Sequence, residues 1–219
     1  MRPRRLILWV TLLLTALALA GCFGETSNFP IAGAGQTLDI TVVDLERLTE
    51  LRYSEFSQNQ LLGHYRLTRS QDSLELVLVR LSVGNQRATT ALVDVDEQAV
   101  QLRDFFDGVY FPTDIEVKGD TWKMTDSGWG WVSNPVAEET PDLPAEEVAP
   151  DPPGWGKGSV RSIELYADGG TPPGQGFLVG SFRLNQGYGV DGWIVFEAPK
   201  GTEFRDLRWQ AGDSITIDF

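Results

Sequence analysis

Along most of the chain, apolar and polar residues alternate with a period of two, and that period predicts strands rather than helices. In residues 37–45, Leu38, Ile40 and Val42 alternate with Thr37, Asp39 and Thr41, so one face is buried and the other wet. Residues 73–83 are apolar on both faces: Leu74, Leu76 and Leu78 fall on one side, Val77, Val79, Leu81 and Val83 on the other, interrupted only by Glu75 and Arg80. A strand of that kind belongs in the middle of a sheet, with an opposing sheet on one side and a loop or neighbouring segment on the other. Gly84-Asn85 predicts the turn that closes it. Residues 99–102 and 109–111 flank Asp107-Gly108, a dipeptide that tolerates positive φ at both positions and predicts a tight hairpin ended by Pro112. Further strands are expected at residues 160–167, 177–184, 192–197, 204–209 and 214–219. Residues 48–67 follow neither period cleanly and suggest a loop with a short helix. Many short strands separated by Gly, Pro and Asp turns predict an all-β, antiparallel β-sandwich.

The alternation vanishes over residues 133–158, where Pro135, Pro141, Pro144, Pro150, Pro152 and Pro153 are mixed with Glu138, Glu139, Asp142, Glu146, Glu147 and Asp151. A segment that buries so little apolar surface cannot offset roughly 1–2 kcal/mol per residue of backbone ordering. It is expected to be an extended, disordered insertion. A linker between two small domains is the alternative.

The first residues carry a different signal. Arg2, Arg4 and Arg5 precede an apolar run over residues 6–20 that stops at Leu19-Ala20-Gly21-Cys22. The run is too short to span a bilayer and reads as an export signal, residues 1–21, with the single cysteine of the chain at the cleavage point. This resembles the signal of bacterial lipoproteins, which implies that Cys22 becomes the acylated first residue of the mature chain, palmitate among its acyl groups, at the outer face of the cell membrane or outer membrane. A plain secretory signal or an anchor helix, with Cys22 an unattached thiol, is the alternative. Residues 22–35 would then be a flexible tether of at most roughly 40 Å, and residues 36–219 the folded domain.

Charge narrows the partners. The chain has a net charge of -13, and without residues 1–21 it carries 15 basic against 31 acidic side chains, a net charge of -16. Such a surface repels nucleic acid and anionic headgroups, so membrane contact is expected through the lipid on Cys22.

Over residues 35–219 the chain resembles the immunoglobulin-like domain of unknown function common in bacterial surface lipoproteins. The resemblance rests on the strand ending at Asn85, on Gly108 and Tyr110 in the hairpin, and on Gly192, Val195, Phe196 and Pro199 in order. It implies a two-sheet sandwich with no established catalytic residues and no cofactor. The acidic, Trp-rich piece over residues 121–158 departs from the family pattern.

Candidate chemistry is sparse. The only histidine, His64, is read as a surface or turn residue, and no nucleophile elbow accompanies it. Asp94, Asp96 and Glu97 are weak candidates for a calcium loop without EF-hand spacing, and a solvated turn explains them as well. Asp104 and Asp107 illustrate a carboxylate pair of the kind glycoside hydrolysis needs. Trp122, Trp129, Trp131 and Trp155, spaced by glycines, are the most suggestive binding residues, as rings on flexible loops that engage an envelope protein or glycan. The competing reading packs them over the open face of the strand at residues 73–83. The expectation is a lipid-anchored, non-catalytic extracytoplasmic binding module; the alternatives are an envelope-glycan hydrolase using paired carboxylates and a structural protein of envelope assembly.

Overall fold

The computed structural model describes residues 29–57, 60–114, 119–133, 160–165 and 176–219. Among them there are strands and no helix, in sheets that are mostly antiparallel, so the fold is an all-β sandwich. The central sheet has the order β1-β2-β5-β14-β12, formed by β1 (Ile31–Ala34), β2 (Leu38–Leu48), β5 (Leu74–Asn85), β14 (Tyr188–Pro199) and β12 (Gly176–Phe177). β5 sits in its middle, paired along its length with β2 and β14. Its odd-numbered face joins Leu38, Ile40, Val42, Ile194 and Phe196 in the main core. Against that face lie β6 (Thr90–Val95) paired with β13 (Gly180–Asn185), and the sheet β16-β15-β7-β8, built from β7 (Val100–Asp104), β8 (Val109–Tyr110), β15 (Phe204–Trp209) and β16 (Ile215–Asp218).

The other face of β5 is also covered by a sheet. Leu76 and Leu78, with Trp193 and Val195 of β14, pack against Leu51, Tyr53 and Leu67. Those three residues belong to β3 (Glu50–Ser57) and β4 (Gln60–Thr68), a hairpin where the sequence suggested a loop with a short helix. The reason lies in the register, which shifts between Glu55 and Phe56. A bulge inserts one residue and reverses the alternation, so a period-two pattern read across it cancels. The sandwich therefore has a third layer, and Arg80, on the inner strand β5, is held by Asp191 of β14 at 2.8 Å.

Three further expectations change. Part of the expected tether is strand β1: Ile31–Ala34 pairs with β2, and a Cβ on Gly33 would come within 2.7 Å of Ile217, so only glycine lets β1 lie this close to β16. The single strand expected at residues 177–184 is two, β12 and β13, in different sheets; Gly180, at φ 90°, turns the chain between them. In the β7–β8 hairpin Asp107 alone has positive φ, 63°, and Gly108 is needed instead because a Cβ there would collide with the Asp104 carboxylate. The acidic insertion, apart from Ser133 in a strand, and the segment before residue 29 lie outside the described residues.

Polar residues at buried and half-buried positions tie these layers together. Asn85 is fully buried at the end of β5; its amide donates to the carbonyls of Ala88 (2.8 Å) and Leu184 (2.9 Å), while its oxygen accepts from the Ala88 N–H (3.0 Å). Asp213 accepts from the N–H groups of Thr37 (2.7 Å) and Leu38 (3.0 Å), tying the turn before β16 to the start of β2. Asp206 receives a bidentate bond from Arg103 (2.6 and 2.7 Å) and a third from Arg205 (2.9 Å).

Asn85→Ala removes these bonds and leaves buried carbonyls unpaired, so urea denaturation should show a loss of about 2–4 kcal/mol. Asn85→Asp should rescue little, since it sets an acceptor against two carbonyls.

Burial works to raise the Asp206 and Asp213 pKa values, but the arginines around Asp206 and the backbone N–H groups around Asp213 outweigh it, and both carboxyls lie below the usual range. Their contribution is therefore complete above the unfolded pKa of about 3.9 and is lost as pH falls through the lower folded values. Denaturation midpoints should hold from neutrality to about pH 5 and drop below about pH 4, with a shallower drop in Asp206→Asn measured against its own neutral value.

Candidate functional site

The described part of the tryptophan-rich piece, which carries Trp122, Trp129 and Trp131, is a hairpin rather than flexible loops. β9 (Asp120–Thr125) and β10 (Gly128–Ser133) pair antiparallel and extend the β3–β4 layer into the sheet order β10-β9-β4-β3-β11, where β11 (Val160–Leu165) runs parallel to β3. The turn is closed by Thr125, whose hydroxyl donates to the Gly128 carbonyl at 2.6 Å, and Gly128 takes the positive φ, 108°, that this tight connection demands. Trp131 lies opposite Trp122 and Trp129 opposite Met124, so the pleat puts all four positions on one face of the hairpin.

That face is set by the β4–β9 register. Arg66 pairs with Asp120, and Leu67, the neighbour of Arg66, points into the core against β5. Arg66, Asp120 and Trp131 consequently lie on the side away from that core. The reading in which these tryptophans cover the open face of β5 is thus overturned for Trp131: Leu51, Tyr53 and Leu67 already fill that place. On the outer side, the Arg66 guanidinium lies over the Trp131 ring, 4.8 Å from its centroid, and its Nε donates to Asp120 at 3.0 Å. Ser133 donates to the other Asp120 oxygen, also at 3.0 Å. The carboxylate thus orients the guanidinium, and the guanidinium orients the ring. Arg66 and Asp120 were not among the candidates read from sequence, because nothing in their own spacing marks them. They become neighbours only through the β4–β9 pairing, 54 residues apart.

The same layer corrects His64. It is on β4, 3% exposed rather than at a surface turn, with Nδ1 2.9 Å from the hydroxyl of the equally buried Ser54. Both sit opposite each other in the β3–β4 register, and the pair is an internal hydrogen bond of the sheet.

The remaining candidates separate. Asp104 and Asp107 do not converge on a cleft. Asp104 is buried and organises its own hairpin, accepting from the Tyr110 hydroxyl (2.8 Å) and the N–H groups of Gly108 (2.7 Å) and Phe106 (2.8 Å). The Tyr110 hydroxyl foremost, with those backbone donors, holds the Asp104 carboxyl below its usual range against the effect of burial. Asp107 is exposed and paired with Arg205 at 3.3 Å. Asp94 is on β6 and accepts from Ser181 at 2.8 Å, while Asp96 caps the following turn through the Gln98 N–H at 2.8 Å. Glu97 is exposed in that turn. Among the described residues no three His, Cys, Asp or Glu side chains gather as a metal site, and no helix is long and apolar enough to cross a membrane. Cys22 and Trp155 lie outside the described residues.

No protein family's sequence pattern matches this chain, and no curated protein matches it. Among solved structures it is similar to YcdA of Bacillus subtilis, described as a lipoprotein candidate, with a TM-score of 0.40 and 11% identity over 88% of this chain. The similarity covers 39% of YcdA, so this chain spans about two fifths of that protein.

Arg66→Ala removes both the contact with Trp131 and the bond to Asp120, at partly exposed positions where such interactions are each worth about 1 kcal/mol or less. Global unfolding should therefore move little, whereas amide exchange over residues 128–133 should accelerate as the edge hairpin frays.

Proposed function

We propose that this chain is a lipid-anchored, extracytoplasmic binding module of the bacterial envelope, a sandwich of the immunoglobulin-like lipoprotein type that performs no catalysis. In this reading Cys22 carries the lipid, and the outer face of the β9–β10 hairpin engages an envelope protein or glycan. The observation that carries the binding site is the ordered trio of Trp131, Arg66 and Asp120. An aromatic ring held rigid by a neighbouring ion pair, on a sheet face that the core does not use, loses little side-chain entropy when it meets a ligand. The Asp104 carboxylate is already engaged by three donors, which favours a structural part for it over hydrolysis.

Two measurements test the reading. Intact-mass analysis of the membrane-extracted protein should show a chain that starts at an acylated Cys22; a retained signal or a bare thiol removes the anchor. Trp131→Ala should weaken capture of envelope components about tenfold, with Trp131→Phe retaining part of it. Unchanged capture by an Ala variant whose circular dichroism is intact would sink the site.

A further inference from the structure

The β7–β8 hairpin carries an apolar tip that the core does not use. Phe106 is 93% exposed and Phe105 58%, and two further exposed apolar residues follow, Val109 in the edge strand β8 and Phe111 just after it. The neighbouring charges are already satisfied: Asp104 is bonded inside the hairpin, and Asp107 is paired with Arg205. Two adjacent phenylalanines in solvent are costly unless something covers them.

Contacts across the fold show what lies beside this tip. Asp107 meets Arg205; the Arg205 carbonyl accepts from the Phe219 N–H at 2.9 Å; and the Phe219 ring packs edge-on against Phe29 with centroids 5.8 Å apart. Phe29 is the residue at which the chain enters the fold from Cys22. The aromatic tip and the entry point therefore occupy the same end of the sandwich. Tyr188, another exposed aromatic, is paired with Asn85 at the opposite end, where Leu38 and Asp213 also meet. β1 begins at Ile31, and the seven residues from Cys22 to Phe29 can reach at most about 25 Å.

The geometry points to a second membrane contact: the Phe105–Phe106 tip dips into the headgroup layer of the bilayer that holds the lipid on Cys22. This inference rests on the lipid-anchored reading above. Aromatic rings are favoured at that depth, and the short connection keeps the tip at a high effective concentration over the membrane, so a contact too weak to bind a free protein is sufficient to orient an anchored one. With the entry end facing the bilayer, the strands stand away from it.

The test separates the tip from the natural anchor. The chain from residue 22 onward has a single thiol, which couples to a maleimide lipid in phosphatidylcholine vesicles whether or not the cell acylates it. Hydrogen exchange is compared between coupled and free protein. Amides of residues 105–111 should exchange at least about threefold more slowly when coupled, with residues near Leu92 and Tyr188 unchanged, and Phe105→Ser/Phe106→Ser should abolish the difference while leaving circular dichroism intact. Equal exchange in the two states overturns the proposal. So does slowing that appears in the free protein as its concentration rises, which would assign the tip to a second copy of the chain. A bare Cys22 in the natural protein together with slowed exchange in the coupled one refutes the anchor and supports the contact surface.

Discussion

The fold depends on burying one strand from both sides. β5 is paired with β2 and β14, its Val77, Val79, Leu81 and Val83 face the main core, and Leu76 and Leu78 face the second. Each such side chain is worth about 1.5–3 kcal/mol when taken from water, and a strand that is half exposed would forfeit nearly half of that gain. The β3–β4 hairpin is therefore required rather than decorative: without Leu51, Tyr53 and Leu67 the second face of β5 would lie open. The tryptophan-bearing β9–β10 hairpin extends this covering layer at its edge, and Trp131, Arg66 and Asp120 stand on the side away from β5.

Much of this was legible from residues alone where the period-two pattern ran unbroken. The two-sided strand at residues 73–83 announced its central place, and the alternation of Leu38, Ile40 and Val42 marked the start of β2. Legibility failed where one residue changed the phase. The bulge after Glu55 disguised β3 and β4, and Gly180 divided one apolar run between two sheets. The candidate site shows the same limit in another form. Trp131 stood out as a residue type, but its partners Arg66 and Asp120 are ordinary surface residues until the β4–β9 register brings them together. Exposure was equally hidden: nothing in the spacing of Phe105 and Phe106 marks them as exposed, and only the bonds of Asp104 to Phe106, Gly108 and Tyr110 show that the carboxylate, not the rings, holds that turn.

The acidic composition acquires a more specific meaning from these contacts. Asp206, Asp213, Asp104, Asp120 and Asp191 each anchor a named donor within the fold, so part of the charge excess acts as internal fastening between strands distant in sequence. Carboxylates suit that task because one side chain accepts several N–H groups at once, as Asp213 does across the start of β2.

The acids left on the surface bear on how an anchored domain would sit. Residues 22–219 carry -16, a charge that an anionic bilayer would repel over most of the surface, and that repulsion is screened beyond about 8 Å at physiological salt. Only a patch without unpaired charge approaches closer than this at little cost. The tip at Phe105 and Phe106 meets that condition, because the one exposed carboxylate between it and β8 is paired with Arg205. Repulsion everywhere else and a neutral aromatic end beside the entry of the chain act in the same direction. Together they favour a single orientation for a domain anchored in this way.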